Sequence, residues 1–97
     1  MAARKPIKSV DVDGITVRID VDYVKSWDGV AQAVEMQKLA NDEDATDADK
    51  MLALFVYYSN AITNIDEIKE ALGGGNVSAD KVFDVATKAL QIGSSKN

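Results

Sequence analysis

Apolar and polar residues alternate along the first part of the chain, on both sides of the dipeptide Asp13-Gly14. Alternation of this kind is typical of β-strands, and an Asp-Gly pair tolerates the positive φ angles of a type I′ turn. The segment 8–20 is therefore predicted to be a β-hairpin in which Val10 faces Val17. Because two strands alone are only marginally stable, the apolar side of the hairpin is expected to lie on helices.

After Asp20 the hydrophobic period changes to about 3.6, which predicts one amphipathic helix of roughly 18 residues with Asp20 as its N-cap and Asp22 as the alternative cap. The apolar stripe expected to face the core is Tyr23, Trp27, Val30 and Val34, with Val24 and Ala31 beside it. Core packing is the favoured role for Trp27, and Gly29 is expected to mark a close contact. Met36 and Leu39 point away from this stripe, so they are either exposed or covered by something outside the helix.

The segment 41–50 is the most acidic part of the chain. Its start resembles a calcium-binding loop, but an EF-hand requires Gly and Glu at the places that Asp47 and Ala53 occupy when the loop is counted from Asp42. We interpret the segment as a solvated loop that leads into a helix capped by Thr46.

The stretch Met51–Ile62, MLALFVYYSNAI, is strongly apolar. It is too short for a membrane span, which takes about 20 apolar residues. On a helical wheel one face consists of Met51, Leu54, Phe55, Tyr58 and Ile62. Leu52 and Val56 form a second stripe, and Tyr57 lies on the far side. Since one buried face does not account for all of these residues, the surplus is expected to pack in the core or to contact a partner.

Two further helices are predicted in the C-terminal third. The first is expected to have Asn64 as its cap, with Glu67 completing a capping box, and to end at Gly73–Gly75. The second is expected to begin at Ser78 and to end at Gly93. Their inward-facing residues are predicted to be Ile65, Ile68 and Leu72 in the first helix and Val82, Phe83, Ala86, Ala89 and Leu90 in the second.

These elements predict an α+β fold, mainly α, with a short N-terminal β-hairpin packed on a bundle of about four helices. A chain of 97 residues, 46% of them hydrophobic, suits one domain spanning 1–97. Residues 1–6 and 94–97 are expected to be flexible. The charges near the N-terminus are followed by the alternating segment and not by an apolar run, so no signal peptide is predicted.

Composition narrows the chemistry. The net charge of -5 opposes binding to nucleic acid, because phosphate contacts require clustered Lys and Arg. The chain has no His and no Cys, which removes the commonest general base, the thiol nucleophile and the best metal ligands. We therefore expect a binding protein without enzyme activity, cofactor or metal.

Four segments of the chain carry a family resemblance. They are Ile15–Asp20 (ITVRID), Asp22–Trp27 (DYVKSW), Asn64–Leu72 (NIDEIKEAL) and Asn76–Phe83 (NVSADKVF). A helix, an acidic break and a Leu-rich helix separate the second segment from the third, and a glycine turn separates the last two. In this order they resemble the small tail assembly chaperones of long-tailed, siphovirus-like bacteriophages and prophages. The resemblance covers about residues 10–92.

The resemblance implies a non-structural protein in the cytoplasm of the bacterial host that binds the tape measure protein and promotes tail assembly by helping to recruit tail tube subunits. A tape measure protein before assembly exposes apolar helical surface, which a small acidic protein can cover and keep soluble. The residues predicted to make this contact are Leu52, Val56 and Tyr57, with Met36 and Leu39 as a second group. No nucleic acid or membrane partner is expected, and self-association stays open.

Two alternatives from other classes also stay open. A small acidic regulator, such as an antitoxin, an anti-repressor or a nucleic-acid mimic, would occupy a basic site with the carboxylates of Asp42, Glu43, Asp44, Asp47 and Asp49. Its affinity would fall steeply with salt, whereas an apolar contact would survive salt. A structural component of the virion would be present in finished particles.

Overall fold

The computed structural model of the protein describes residues 7–94, and the segments predicted to be flexible, 1–6 and 94–97, lie outside this range except for Ser94, which ends the last helix. The fold is α+β and mainly α, with an antiparallel hairpin on the N-terminal side, which confirms the predicted class. The elements of the described part are β1 (Ile7–Val12), β2 (Ile15–Asp20), α1 (Val21–Lys25), α2 (Trp27–Ala40), α3 (Asp47–Ala61), α4 (Ile65–Ala71) and α5 (Ala79–Ser94).

The strands β1 and β2 form the hairpin that the alternating sequence predicts. Val10 pairs with Val17, as expected. Both turn residues have a positive φ, 53° at Asp13 and 87° at Gly14, as a type I′ turn requires. Most apolar side chains of the two strands are buried and most polar ones are exposed, so the hairpin presents one apolar face to the helices.

The hydrophobic core lies between the apolar face of the hairpin and the helices α3, α4 and α5. Ile68 and Val17 are its largest fully buried side chains. The hydroxyls of Tyr58 on α3 and Thr87 on α5 lie 2.6 Å apart and share a hydrogen bond. Of the residues predicted to face inward from α4 and α5, Ile68, Val82, Ala86 and Ala89 are buried, whereas Ile65, Leu72, Phe83 and Leu90 are half-buried.

The single helix predicted after Asp20 is wrong, because Ser26 divides it into α1 and α2. Asp20 caps α1, as predicted, by accepting a hydrogen bond from the Tyr23 amide. Ser26 has an extended backbone with ψ 163°, and its side-chain oxygen accepts from the Gly29 amide, so a new helix begins at Trp27. The close contact predicted at Gly29 is confirmed, since a Cβ there would lie 1.9 Å from the Tyr23 carbonyl oxygen.

The face that α2 turns inward also differs from the prediction. Of the expected stripe, Tyr23 and Val24 pack on the core from α1, whereas Trp27, Val30, Ala31 and Val34 are exposed. The core role predicted for Trp27 is wrong. Gly29 is buried instead, and Ala33 and Met36 pack on the core. The small side chains at Gly29 and Ala33 let α2 approach its neighbours closely, and this close packing leaves the larger stripe on the outside.

The acidic segment connects α2 to α3, and its interpretation as a solvated loop agrees with the structure. All five of its carboxylate side chains are exposed. The Thr46 hydroxyl accepts a hydrogen bond of 3.0 Å from the Asp49 amide, and the Asp49 carboxylate accepts one of 3.4 Å from the Thr46 amide. This capping box confirms Thr46 as the N-cap of α3.

Asn64 is the N-cap residue of α4, as predicted, but its side chain makes no capping hydrogen bond to that helix, so the predicted capping box is wrong. The Asn64 side chain accepts from the Arg18 amide at 2.9 Å and donates to the Thr16 carbonyl at 2.8 Å. The Thr63 amide adds a bond of 2.9 Å to the Arg18 carbonyl. The edge of β2 that does not pair with β1 has peptide groups within hydrogen-bonding distance of Asn64. The Asn64 side chain bonds to these groups and not to the amides at the start of α4. Ile62 forms an isolated antiparallel bridge with Ile19, so the segment 62–64 covers the free edge of β2 without forming a third strand.

The connection from α4 to α5 contains the three glycines predicted to form a turn. Gly73, Gly74 and Gly75 all have positive φ, at 121°, 70° and 59°. The Ser78 side chain accepts from the Asp80 amide at 3.2 Å as α5 begins. The last helix continues through Ser94, one residue beyond its predicted end.

Candidate protein-binding surface

Helix α3 carries three apolar side chains on its solvent-facing side. Leu52 is 62% exposed, Phe55 is 60% exposed, and Met51 is also exposed. Because residues three and four apart are neighbours on a helix, these side chains form one continuous patch, which we call the α3 surface. Contiguous exposed apolar side chains mark sites at which proteins associate.

Helix α2 carries a second exposed apolar group, which we call the α2 surface. It consists of Trp27, which is 87% exposed, together with Val30 and Val34. The three residues follow the spacing of three and then four that lines one side of a helix. A large aromatic ring exposed to this degree contributes little to folding, so its apolar area is available to another molecule.

The structure separates the predicted contact residues. Leu52 is exposed and belongs to the α3 surface. Val56 is half-buried and lines a cleft between α2 and α3 with Gln32 and Asn60. Leu52 and Val56 lie one helical turn apart on the same side of α3. They are the members of the predicted group on this helix that a partner can reach, Leu52 largely and Val56 in part.

Tyr57 lies in the core and is withdrawn from the contact surface. It is 6% exposed, and its ring centroid lies 5.8 Å from that of Tyr23 and 5.7 Å from that of Tyr58. Burial is the main cause that raises the pKa of the Tyr57 hydroxyl, and the two neighbouring tyrosines add to it. The side of α3 that carries Tyr57 is thus the side that α1 covers. The Tyr57 ring contributes to packing within the protein.

Met36 and Leu39 are likewise poor candidates for a partner contact. Met36 packs against the hydrophobic core, and Leu39 is half-buried. Both lie toward the inward face of α2, whose orientation the sequence did not reveal. Met36 and Leu39 are therefore covered in part by other segments of the same chain.

An apolar pocket opens beside Phe55, between α3, α4 and the beginning of α5. Its volume is about 180 Å³. Tyr58 and Phe83 contribute rings whose centroids lie 5.8 Å apart, and the buried Val82 lies beside them. Lys69 is the charged residue among those that line it. The pocket extends the apolar character of the α3 surface into a concave site.

The best-defined electrostatic cluster joins β2 to α4. The Glu67 carboxylate accepts from the Asn64 amide group at 3.0 Å and from the Arg18 guanidinium at 2.9 Å. The hydrogen bond from Asn64, followed by the positive charge of Arg18, lowers the pKa of Glu67 below its ordinary value. These groups hold a carboxylate in its ionised form, which suits a structural link between the strand and the helix.

Between residues 7 and 94, no three His, Cys, Asp or Glu side chains lie close enough together to hold a metal ion. In the same range no helix has the length and apolar character needed to cross a membrane.

Among the exposed apolar residues that the sequence did not identify as contacts are those of the α2 surface and two members of the α3 surface, Met51 and Phe55. The available signal was the row of small residues on α2, since Gly29 and Ala33 stand one turn apart and favour close helix packing. An assignment of the inward face from large apolar side chains selects Trp27 and overlooks the small residues Gly29 and Ala33.

Comparisons of the chain with protein-family models, with curated proteins and with solved structures found no match.

Proposed function

We propose that the protein binds apolar helical surface on a larger protein and keeps that surface soluble until assembly. In line with the resemblance to tail assembly chaperones, the proposed partner is the tape measure protein of a phage or prophage, with the tail tube subunit as a second partner. The proposed location is the cytoplasm of the bacterial host. The protein acts in this proposal by binding and not by catalysis.

The observation that supports this proposal most strongly is the exposure of Leu52 and Phe55 on the α3 surface. Full burial of a Leu or Phe side chain is worth about 1.5–3 kcal/mol. Since each is already partly covered, a partner that buries the rest gains about 1–2 kcal/mol per side chain. The α2 surface, with Trp27 at 87% exposure, adds a second apolar area of the same kind.

The charge of the protein supports the same role. Its net charge is -5, and the five carboxylates between Asp42 and Asp49 are exposed. Charge of one sign on the outside of a complex opposes association between complexes. An acidic protein that covers apolar helices therefore shields their aggregation-prone surface and also keeps the complex soluble.

The proposal is tested by co-expressing the chain with the tape measure protein encoded in the same genome and measuring the soluble complex and its Kd. Leu52→Asp and Trp27→Asp place a charge on the α3 and α2 surfaces, and both sites are exposed, so folding should change by less than about 0.5 kcal/mol. We expect at least one variant to weaken binding by about tenfold or more.

Ser9→Asp is the matched control, because it adds the same charge at an exposed position on the outer face of the hairpin. It should leave the Kd within about twofold. Unchanged binding in both surface variants would contradict the proposal. Binding that instead disappears with salt and with amide substitutions in the acidic loop would support the acidic mimic.

A further inference from the structure

The pocket beside Phe55 has the size and lining of a site for one side chain. Its volume is about 180 Å³. An apolar protein cavity of about 150 Å³ is large enough to hold benzene. The pocket therefore accommodates a single aromatic ring or a branched aliphatic group, and it is too small for a whole helix.

The walls of the pocket are positioned by three separate elements, which makes the site concave. Tyr58 comes from α3, Ile65 from α4, and Val82 and Phe83 from the first turns of α5. Val77, two residues after the last of the three glycines with positive φ, also lines the pocket. Because Tyr58 is also fixed to α5 by its hydrogen bond with Thr87, the pocket floor is held in place without a ligand.

Lys69 gives the pocket a preference for negatively charged groups. It is the charged residue of a lining that otherwise consists of apolar side chains, two hydroxyl-bearing ones and Phe55 at the rim. Among residues 7–94, no carboxylate forms an ion pair with Lys69. An ammonium group without a partner, on the rim of an apolar site, attracts a carboxylate that arrives with the apolar group.

We propose that this pocket, the Phe55 pocket, anchors a bulky apolar side chain of the partner protein that stands next to an Asp or Glu residue, whose carboxylate binds Lys69. The inference rests on the proposed protein-binding function and adds the chemistry of the recognised segment. Its basis is charge complementarity at Lys69 together with the continuity of the pocket with the α3 surface through Phe55. Anchor side chains that fill a preformed pocket contribute most to binding at protein interfaces.

Small probes test the pocket chemistry without the partner. The full-length chain, labelled with nitrogen-15, is titrated with 3-phenylpropionate, which joins an aromatic ring to a carboxylate, and with its neutral amide, 3-phenylpropanamide. We expect saturable NMR shifts at residues around the pocket, with a Kd on the order of 1–10 mM for the acid. The amide should bind about two- to fivefold more weakly, as loss of an exposed ion pair predicts.

Two variants assign the effect to the proposed groups. Lys69→Met keeps the aliphatic stem and removes the charge, so the acid and the amide should bind equally well. Ala79→Phe places a ring at the exposed edge of the pocket and should abolish binding of both probes. The indole N–H of Trp27, on the α2 surface, is the internal control and should not shift. Circular dichroism verifies that both variants fold.

Several results would overturn the inference. These are an acid that binds no better than the amide, a preference that survives Lys69→Met, and shifts that spread to Trp27. Pocket shifts that grow with protein concentration in the absence of probe would identify a second copy as the occupant. If the probes do not bind as expected, the inference about the pocket fails, but the binding measurements on Leu52→Asp and Trp27→Asp still test the proposed function. If the probes bind as expected and both variants bind the tape measure protein normally, only the proposed function is refuted.

Discussion

Replacement of Gly29 by Ala should destabilise the protein, although the same change in most helices is stabilising. Ala is favoured over Gly in a helix interior by about 1 kcal/mol. At Gly29, however, the added Cβ would stand 1.9 Å from the carbonyl oxygen of Tyr23 and 2.9 Å from its carbonyl carbon. Both are backbone atoms, so no side-chain rotation relieves the contact.

The size of the effect follows from what must move. The Tyr23 carbonyl oxygen accepts two hydrogen bonds, from the Ser26 amide at 3.0 Å and from the Ser26 hydroxyl at 2.7 Å. Retreat of this oxygen stretches both bonds, each worth about 0.5–1.5 kcal/mol, and overpacking adds about 1–3 kcal/mol. After subtraction of the helix preference for Ala, the free energy of unfolding should fall by about 1–5 kcal/mol, with 2–3 kcal/mol near the middle of that range.

Thermal and urea unfolding followed by circular dichroism measure the change. For a domain of this size, a loss of about 2–3 kcal/mol lowers Tm by roughly 10–20 °C. Gly93→Ala is the matched control, because its Cβ would meet side-chain atoms and no backbone, the nearest being Ile19 Cδ1 at 3.1 Å and Val10 Cγ2 at 3.6 Å. Its effect should stay within about 1 kcal/mol. A Gly29→Ala protein as stable as the parent would refute the close approach of α1 and α2.

Two further predictions concern the junction of β2 and α4. Asn64→Asp removes the donor to the Thr16 carbonyl and places a carboxylate beside Glu67, so urea unfolding should show a loss of about 1–3 kcal/mol, whereas the exposed Asn76→Asp control should change little. The pKa of Glu67 is lowered in the folded protein, so its contribution to stability is present above the ordinary pKa of Glu, about 4.3, and is lost as the pH falls through the lower, folded value. Comparison of Tm from neutral to acidic pH should therefore show a steeper decline for the parent than for Glu67→Gln, and parallel curves would contradict this linkage.

The elements that the sequence predicted correctly are those determined by neighbouring residues. The hairpin register depends on Asp13-Gly14 and on strict alternation, and the start of α3 depends on Thr46 and Asp49, three residues apart. Each of these devices forms its hydrogen bonds within a few residues, so its outcome does not depend on the rest of the fold.

The inward face of α2 and the role of Asn64 depend on backbone contacts that side-chain hydrophobicity does not encode. Gly29 is buried where the Tyr23 carbonyl of the neighbouring α1 approaches its backbone, and Asn64 bonds to β2, 46 and 48 residues away, as the Arg18 and Thr16 contacts show. A wheel ranks residues by hydrophobicity and cannot weigh how closely two backbones approach. For the same reason the candidate surface predicted from the sequence retained Leu52 but included the buried Tyr57 and missed Trp27.

The short segment from Ile62 to Asn64 also affects how this protein behaves at high concentration. A strand with unsatisfied peptide groups is a template on which another chain can add, the first step toward aggregates. Along β2 the Arg18 amide, the Arg18 carbonyl and the Thr16 carbonyl already have partners within the molecule. The edge of β2 that does not pair with β1 is thus closed, along these residues, to the addition of a strand from another molecule.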